Sequence, residues 1–168
     1  MRLFIASPVI FDGYASLKED FDGIIEGKWV EEKNLHLTWV FLGEVKDEKT
    51  VLDKLSQVSP LERRIEMEGL GYFGRPPRVF FAKSAKSEEK ALYEKAREFR
   101  NADFDLYRFK PHITFCRIKA IHDYKAFHEK RKAYRERKLG VILPKIGLYE
   151  STLHATGAEY RCRYEIEV

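Results

Sequence analysis

Asn34-Leu35-His36-Leu37-Thr38-Trp39-Val40-Phe41-Leu42-Gly43 decides how the rest of this chain reads, because Phe109-Lys110-Pro111-His112-Ile113-Thr114-Phe115-Cys116-Arg117 repeats its pattern. In a β-strand the side chains of residues i and i+2 share a face. Each stretch therefore sets an imidazole beside a hydroxyl, His36 with Thr38 and His112 with Thr114, while Leu37 and Ile113 turn the other way. Two imidazoles and two hydroxyls suit acid–base attack on a phosphate: one ring removes a proton, the other supplies one, and the hydroxyls hold the oxygens. Histidine fits both roles because its unperturbed pKa, about 6.5, allows either protonation state near neutrality.

A histidine followed two residues later by a threonine is a weak pattern by itself. With five of each in 168 residues, chance supplies about 0.15 such pairs, and the chain has three. The third, His154-Ala155-Thr156, lies among small residues before Gly157 and lacks a strand-like frame. The spacing says more. His36 and His112 stand 76 residues apart, as do Arg2 and Arg78, which open Arg2-Leu3-Phe4-Ile5-Ala6 and Arg78-Val79-Phe80-Phe81-Ala82. Two landmarks at one offset, close to half the chain, predict an internal duplication. A single histidine on an apolar strand is more often structural than catalytic. Pairing in repeated strands reverses that preference, since a pseudo-twofold arrangement brings both rings to one cleft.

With 168 residues, 44% hydrophobic and 14% aromatic, the chain can bury one substantial core or two small lobes sharing one. A net charge of +4 permits a polyanionic ligand without demanding one. Cys116 and Cys162 are too few for a disulfide framework and stand at no metal-site spacing, so a reducing cytoplasm is the expected location. No run approaches the roughly 18 apolar residues of a membrane span, and the opening Met1–Pro8 reads as a first strand rather than a signal peptide. Charged residues reach 35%, with one Gln, two Asn, two Cys and two Met, a usage that resembles thermophile proteins.

Periodicity predicts, in the first half, a strand at about 2–7, a helix at about 14–26 and the His36 strand at about 34–42. A helix at about 47–58, capped by Asp47, and a strand at about 63–73 follow. Gly74-Arg75-Pro76-Pro77 then breaks the chain. The second half repeats the order, with a strand at about 78–84, a helix at about 87–100, the His112 strand at about 109–118 and a helix at about 123–137. Strands at about 139–149 and 159–167 close it. The reading is one domain over 1–168, with lobe-like halves of about 1–75 and 76–168 packed together.

The two motif stretches resemble the paired His-x-Thr signatures of the 2H phosphoesterase superfamily. Within it the chain is similar to the RNA 2′,3′-cyclic phosphodiesterases, also called 2′-5′ RNA ligases. Arg2–Ala6 and the late Tyr149-Glu150-Ser151, Leu153, Gly157 and Tyr160 match that subfamily too, so the likeness covers nearly the whole chain. The resemblance implies a bilobal α+β fold in which two antiparallel sheets face a central cleft, with helices outside. It also implies metal-independent opening of 2′,3′-cyclic phosphate ends of RNA or nucleotides to 2′-phosphates, with 2′-5′ joining as the reverse reaction. No cofactor is expected, and the partners are RNA or nucleotide ends met by a monomer.

Carried over position by position, His112 is the base that activates water and His36 the acid that protonates the departing 3′ oxygen. Thr38 and Thr114 hold the non-bridging phosphate oxygens. Five residues after each histidine the family has base-contacting positions, here Phe41 and Arg117, an aromatic face and a guanidinium plane able to sandwich a nucleobase. Strand parity opposes this. Five steps along a regular strand put both residues on the face opposite the histidines, so a bulge, a strand end or strong twist is required. Cys116 departs from the family pattern, which usually has a small residue such as alanine there.

Rival uses of the same residues are few. Zinc takes three or four ligands, and neither motif has a nearby Cys, Glu or third His at ligand spacing. A Gly-x-x-x-x-Gly-Lys-Ser/Thr loop is absent, which removes support for nucleoside-triphosphate chemistry. The run Lys130-Arg131-Lys132, Arg135, Arg137 and Lys138 carries Glu129 and Glu136 and reads as a solvated helix face; Arg75 and Arg78 are better placed for RNA phosphates. A non-catalytic module binding RNA ends would tolerate Arg or Lys at the motif positions, so the intact residues argue against it. A phosphodiesterase for another cyclic phosphate, such as ADP-ribose 1″,2″-cyclic phosphate, uses the same motifs, and the sequence does not separate it from the first reading.

Overall fold

The computed structural model describes residues 1–166, which form nine strands and four α-helices. In chain order these are β1 (Arg2–Phe11), α1 (Tyr14–Asp20), β2 (Ile25–Trp29), β3 (His36–Glu44), α2 (Glu48–Leu55), β4 (Ile65–Phe73) and β5 (Val79–Ser84). There follow α3 (Glu89–Asn101), β6 (Ile113–Ile121), α4 (Tyr124–Ala133), β7 (Lys138–Ile142), β8 (Ile146–His154) and β9 (Gly157–Ile166). Position 167, the end of the last strand predicted from the sequence, lies outside the described residues.

Strand β1 belongs to two antiparallel sheets. Its first part pairs with β3 on one side and with β8 on the other, and β8 carries β9. Its last part, Val9–Phe11, pairs instead with β7, which leads through β4, β5 and β6 to β2. Pro8 stands at the change of partners, opposite His36. A residue without an N–H cannot donate to a ladder, while its carbonyl accepts from Leu143 N–H at 2.9 Å. Close approach is needed just beyond it. Gly140 of β7 has φ 138°, and a Cβ there would sit 2.0 Å from the Ile10 carbonyl oxygen.

The sheets exchange strands between the two halves of the chain. Strands β2 and β4 join the second sheet, β8 and β9 join the first, and Gly74–Pro77 is the turn of the β4–β5 hairpin. Other boundaries differ from those expected: β1 runs on to Phe11, β6 begins only at Ile113, α4 stops at Ala133, and in two places one expected element becomes two. The helix begun at Tyr14 stops at Asp20, because Gly23 takes φ 76° and Ile25 enters the ladder opposite Ile121. The strand expected at 139–149 splits into β7 and β8 around Leu143-Pro144-Lys145, where proline interrupts the ladder.

One continuous apolar core joins the sheets and helices. Leu92, Ala96 and Phe99 of α3 are buried, and the Phe99 ring meets Trp39 of β3 at 5.5 Å. Phe127 of α4 packs on Phe80 of β5 at 5.1 Å and on Phe21 at 5.9 Å. Each fully buried phenylalanine contributes about 1.5–3 kcal/mol. The helices thus cover one face of each motif strand, through Leu37, Trp39, Ile113 and Phe115, and leave the histidine faces uncovered. Among the described residues no helix is long and apolar enough to cross a membrane.

Candidate active site

The two motif strands follow the same course. In β3, His36 and Thr38 are half-buried, Leu37, Trp39 and Val40 are buried, and Phe41 is exposed. Around β6 the order repeats: His112 and Thr114 half-buried, Ile113, Phe115 and Cys116 buried, Arg117 exposed. Two consecutive buried residues break strict alternation, and the ladders give the reason. Pairing of β1 with β3 passes from Ile5 opposite Val40 to Ala6 opposite Thr38, so Trp39 is the extra residue. Pairing of β5 with β6 passes from Phe80 opposite Cys116 to Phe81 opposite Thr114, so Phe115 is the extra residue. The bulges fall at positions 76 apart, the spacing of the histidines, which is consistent with a duplicated unit. Each bulge reverses the strand's parity, so Phe41 and Arg117 escape the core faces on which simple alternation would put them.

Each histidine ring is held in one tautomer. His36 Nδ1 lies 2.7 Å from the carbonyl oxygen of Asn34, and His112 Nδ1 lies 2.6 Å from that of Lys110. A carbonyl can only accept, so Nδ1–H donates in both rings and Nε2 is left to gain or lose the reacting proton. Aromatic neighbours fix the planes. Phe4 and Tyr160 meet the His36 ring at 5.1 and 5.3 Å, and Phe73 and Phe81 meet that of His112 at 4.9 and 5.2 Å. Burial among these rings lowers the pKa of both histidines, while the backbone hydrogen bonds oppose that shift. Charge on His112 adds to the lowering at His36, and the Arg117 guanidinium adds to it at His112.

The influence runs one way in each case: His112 acts on His36, and Arg117 acts on His112. Arg117 also lowers the Tyr160 hydroxyl against the rise that burial imposes, and the Tyr160 ring stands edge-on to His36. A groove of about 320 Å³ has Thr38, Phe41, Tyr107, Lys110 and His112 in its walls, so the face of β3 that bears His36 and Thr38 opens towards His112. His36 and Phe41 share a second groove of about 270 Å³ with Arg2 and Tyr160. Arg117 lines a third, of about 310 Å³, with Tyr160 and Ser151. Phe41 and Arg117 thus border different grooves around the histidines. Thr114 is half-buried two residues beyond His112, opposite Phe81.

Tyr160 stood out in the sequence as a match to the subfamily and as part of the last strand, with no role at the histidines read from it. Its approach to His36 depends on Asn34 Nδ2 donating to the Ala158 carbonyl at 3.0 Å, a contact across 124 residues with no local signal. The tethering carbonyls of Asn34 and Lys110 are equally invisible, since any residue supplies one. Cys116 is fully buried, and burial pushes its thiol up to about 12, so it stays protonated. A hollow of about 280 Å³ beside α3 contains Lys95, whose ammonium donates to Ser59, Pro60 and Glu98; those bonds brace the helix. Lys130 and Lys132 are exposed on α4, with Arg135, Arg137 and Lys138 exposed beyond it.

Comparison with known proteins agrees with this geometry. Residues 5–81 match the family model described as LigT like Phosphoesterase. A protein of Aquifex aeolicus named RNA 2′,3′-cyclic phosphodiesterase is 33% identical over 94% of this chain and 90% of its own length. One of the same name from Thermotoga maritima is 32% identical over 99% of this chain and 95% of its own. Among solved structures, a Thermus thermophilus protein superposes with a TM-score of 0.68 at 28% identity, covering 99% of this chain and 97% of that one. Escherichia coli LigT complexed with 3′-AMP shares the fold, with a TM-score of 0.69 at 20% identity over 98% of this chain and 95% of its own.

Proposed function

Because this chain belongs to the LigT-like phosphoesterase family, we propose that it hydrolyses the 2′,3′-cyclic phosphate ends of RNA or nucleotides to 2′-phosphates, without a metal ion or cofactor. The observation that carries this is the matched pair of carbonyl-tethered imidazoles, each free at Nε2, with Thr38 of one motif and His112 of the other on a single groove.

The step balances with these residues alone. His112 Nε2 takes a proton from water as the water oxygen bonds to phosphorus. The bond from phosphorus to the 3′ oxygen breaks, and His36 gives that oxygen its Nε2 proton. Water and cyclic phosphate become a 2′-phosphate and a 3′ hydroxyl, after which the rings exchange protons with solvent. Thr38 and Thr114 hold the non-bridging oxygens, where negative charge develops. The single charge of the bound phosphodiester raises both histidine pKa values and helps His36 keep its proton until it is needed. Phe41 and Arg117 contact the terminal nucleobase. Joining of 2′-5′ ends is the same path reversed, and water at high concentration favours opening.

The test is product analysis by chromatography, using RNA with a 2′,3′-cyclic end and adenosine 2′,3′-cyclic phosphate, each incubated with the protein in EDTA. A 2′-phosphate is the expected product. A 3′-phosphate, loss of turnover in EDTA, or no turnover at all overturns the proposal.

A further inference from the structure

The segment from Asp103 to Pro111, between α3 and β6, presents polar and aromatic groups beside the reacting centre without being loose itself. Phe104 and Leu106 are buried, and Phe109 stacks on Trp39 at 5.5 Å with planes 7° apart. Arg100 donates to the Leu106 carbonyl at 3.2 Å, and Lys54 donates to that of Asp103 at 3.1 Å. From this anchored frame Tyr107 projects with 79% of its surface exposed. Arg108, with its guanidinium 5.2 Å from the Tyr107 ring centre, takes φ 53°. A non-glycine residue held there costs free energy that its surroundings must offset, and such strain gathers at functional sites.

Tyr107, Arg108 and Lys110 share their groove with Thr38, Phe41 and His112, so it runs directly into the proposed phosphate site. Phe41 is itself 77% exposed. Two exposed aromatic faces and two cations along one groove match the way single-stranded nucleic acid is held: bases stack on rings and cations follow the backbone. Its volume, about 320 Å³, lies at the small end of ligand sites and fits one further nucleotide better than several. Asp105 at the rim is the one acidic residue among those lining it. An RNA that ends in a 2′,3′-cyclic phosphate continues only on its 5′ side, so any second nucleotide in this groove is the penultimate one.

Resting on the phosphodiesterase reading above, we infer that the Tyr107–Lys110 segment binds the penultimate nucleotide, with its base on Tyr107 and its phosphodiester beside Arg108 and Lys110. The preferred substrate class is therefore an oligonucleotide end rather than a mononucleotide. The experiment compares kcat/KM for a diadenosine dinucleotide ending in 2′,3′-cyclic phosphate with that for adenosine 2′,3′-cyclic phosphate. It uses the wild-type chain, Tyr107→Ala and Tyr107→Phe, with thermal melts to verify folding. The wild type should favour the dinucleotide. Tyr107→Ala should slow the dinucleotide about tenfold more than the mononucleotide, towards the lower end for one lost stacking ring, and Tyr107→Phe should restore the preference. Equal treatment of both substrates by the wild type, or an equal loss on both in Tyr107→Ala, overturns the inference and leaves the phosphodiesterase reading standing. Hydrolysis of neither substrate by the wild type overturns that reading, and this one with it.

Discussion

Replacing His112 or His36 by alanine separates the two proton roles as well as testing them. Loss of a positioned acid or base costs about 10²–10⁴ in turnover, equivalent to about 2.7–5.4 kcal/mol of barrier at about 1.36 kcal/mol per tenfold. The structural cost is smaller, since each ring is only half-buried and the hydrogen bond it gives up, to Asn34 or Lys110, has a net worth of about 0.5–1.5 kcal/mol. Both variants should therefore fold and turn over slowly. Stopped assays on adenosine 2′,3′-cyclic phosphate, with melts run in parallel, measure the two effects separately. A folded variant within about threefold of wild type refutes the assignment.

The pH dependence assigns the roles. The free enzyme's kcat/KM reports its own ionisations. Rate falls as pH drops through the pKa of the base, which must be neutral, and as pH rises through that of the acid, which must be charged. Burial lowers both histidines from 6.5, so the bell should centre on the acid side of that value. With His112 as base, the residual activity of His112→Ala keeps the fall towards high pH and loses the fall towards low pH. His36→Ala does the reverse. If each variant loses the opposite limb, the roles of His36 and His112 are exchanged; if neither limb moves, these rings are not the titrating pair.

Thr38→Val and Thr114→Val keep shape but remove the hydroxyl, and each should lower kcat by about 10²-fold, near the lower end for one donor to developing charge; unchanged kcat argues against phosphate contact. Phe41→Ala should raise KM for RNA ends about tenfold while shifting the melting midpoint by less than about 2 °C, because the ring is 77% exposed; a fall of the size expected for an emptied core site would refute its placement. Gly140→Ala, whose Cβ would meet the Ile10 carbonyl at 2.0 Å, should destabilise by about 2–5 kcal/mol, read as an earlier thermal transition; an unchanged midpoint would show that β7 yields easily.

What the sequence revealed follows from physical range. The histidine–threonine pairs were legible because they use the shortest rule available, that i and i+2 share a face, and because the 76-residue offset repeats them. The helix at about 87–100 was legible because helical spacing is also local, and Leu92, Ala96 and Phe99 at that spacing are the residues α3 buries. Strand β2 was not. Ile24 and Ile25 continue the helical spacing of Leu17 and Phe21, and only the left-handed Gly23 and the ladder opposite Ile121 divert the chain. The sheet exchange at Pro8 was hidden for a similar reason, since a proline in a strand states that a donor is missing and not which strand lies beside it.

Parity gives the sharpest case. Alternation alone puts Phe41 with Leu37 and Trp39 in the core, and puts Arg117 where a charge would have to be buried at a cost of several kcal/mol. That cost was itself a sign that regular strand geometry could not run through Arg117. A single inserted residue on each strand, Trp39 in one and Phe115 in the other, removes the conflict and turns both side chains outward. The extra residue has to be accommodated on the buried side, and a large aromatic suits that position. The Trp39 indole stacks on Phe109 and donates Nε1–H to Ser7 Oγ at 2.8 Å, and Phe115 packs between Trp29 and Phe80. The bulge thus links the core to the cleft. The residue that fills the interior also sets which face the next side chains take, so truncating Trp39 should impair substrate contacts at Phe41 as well as stability.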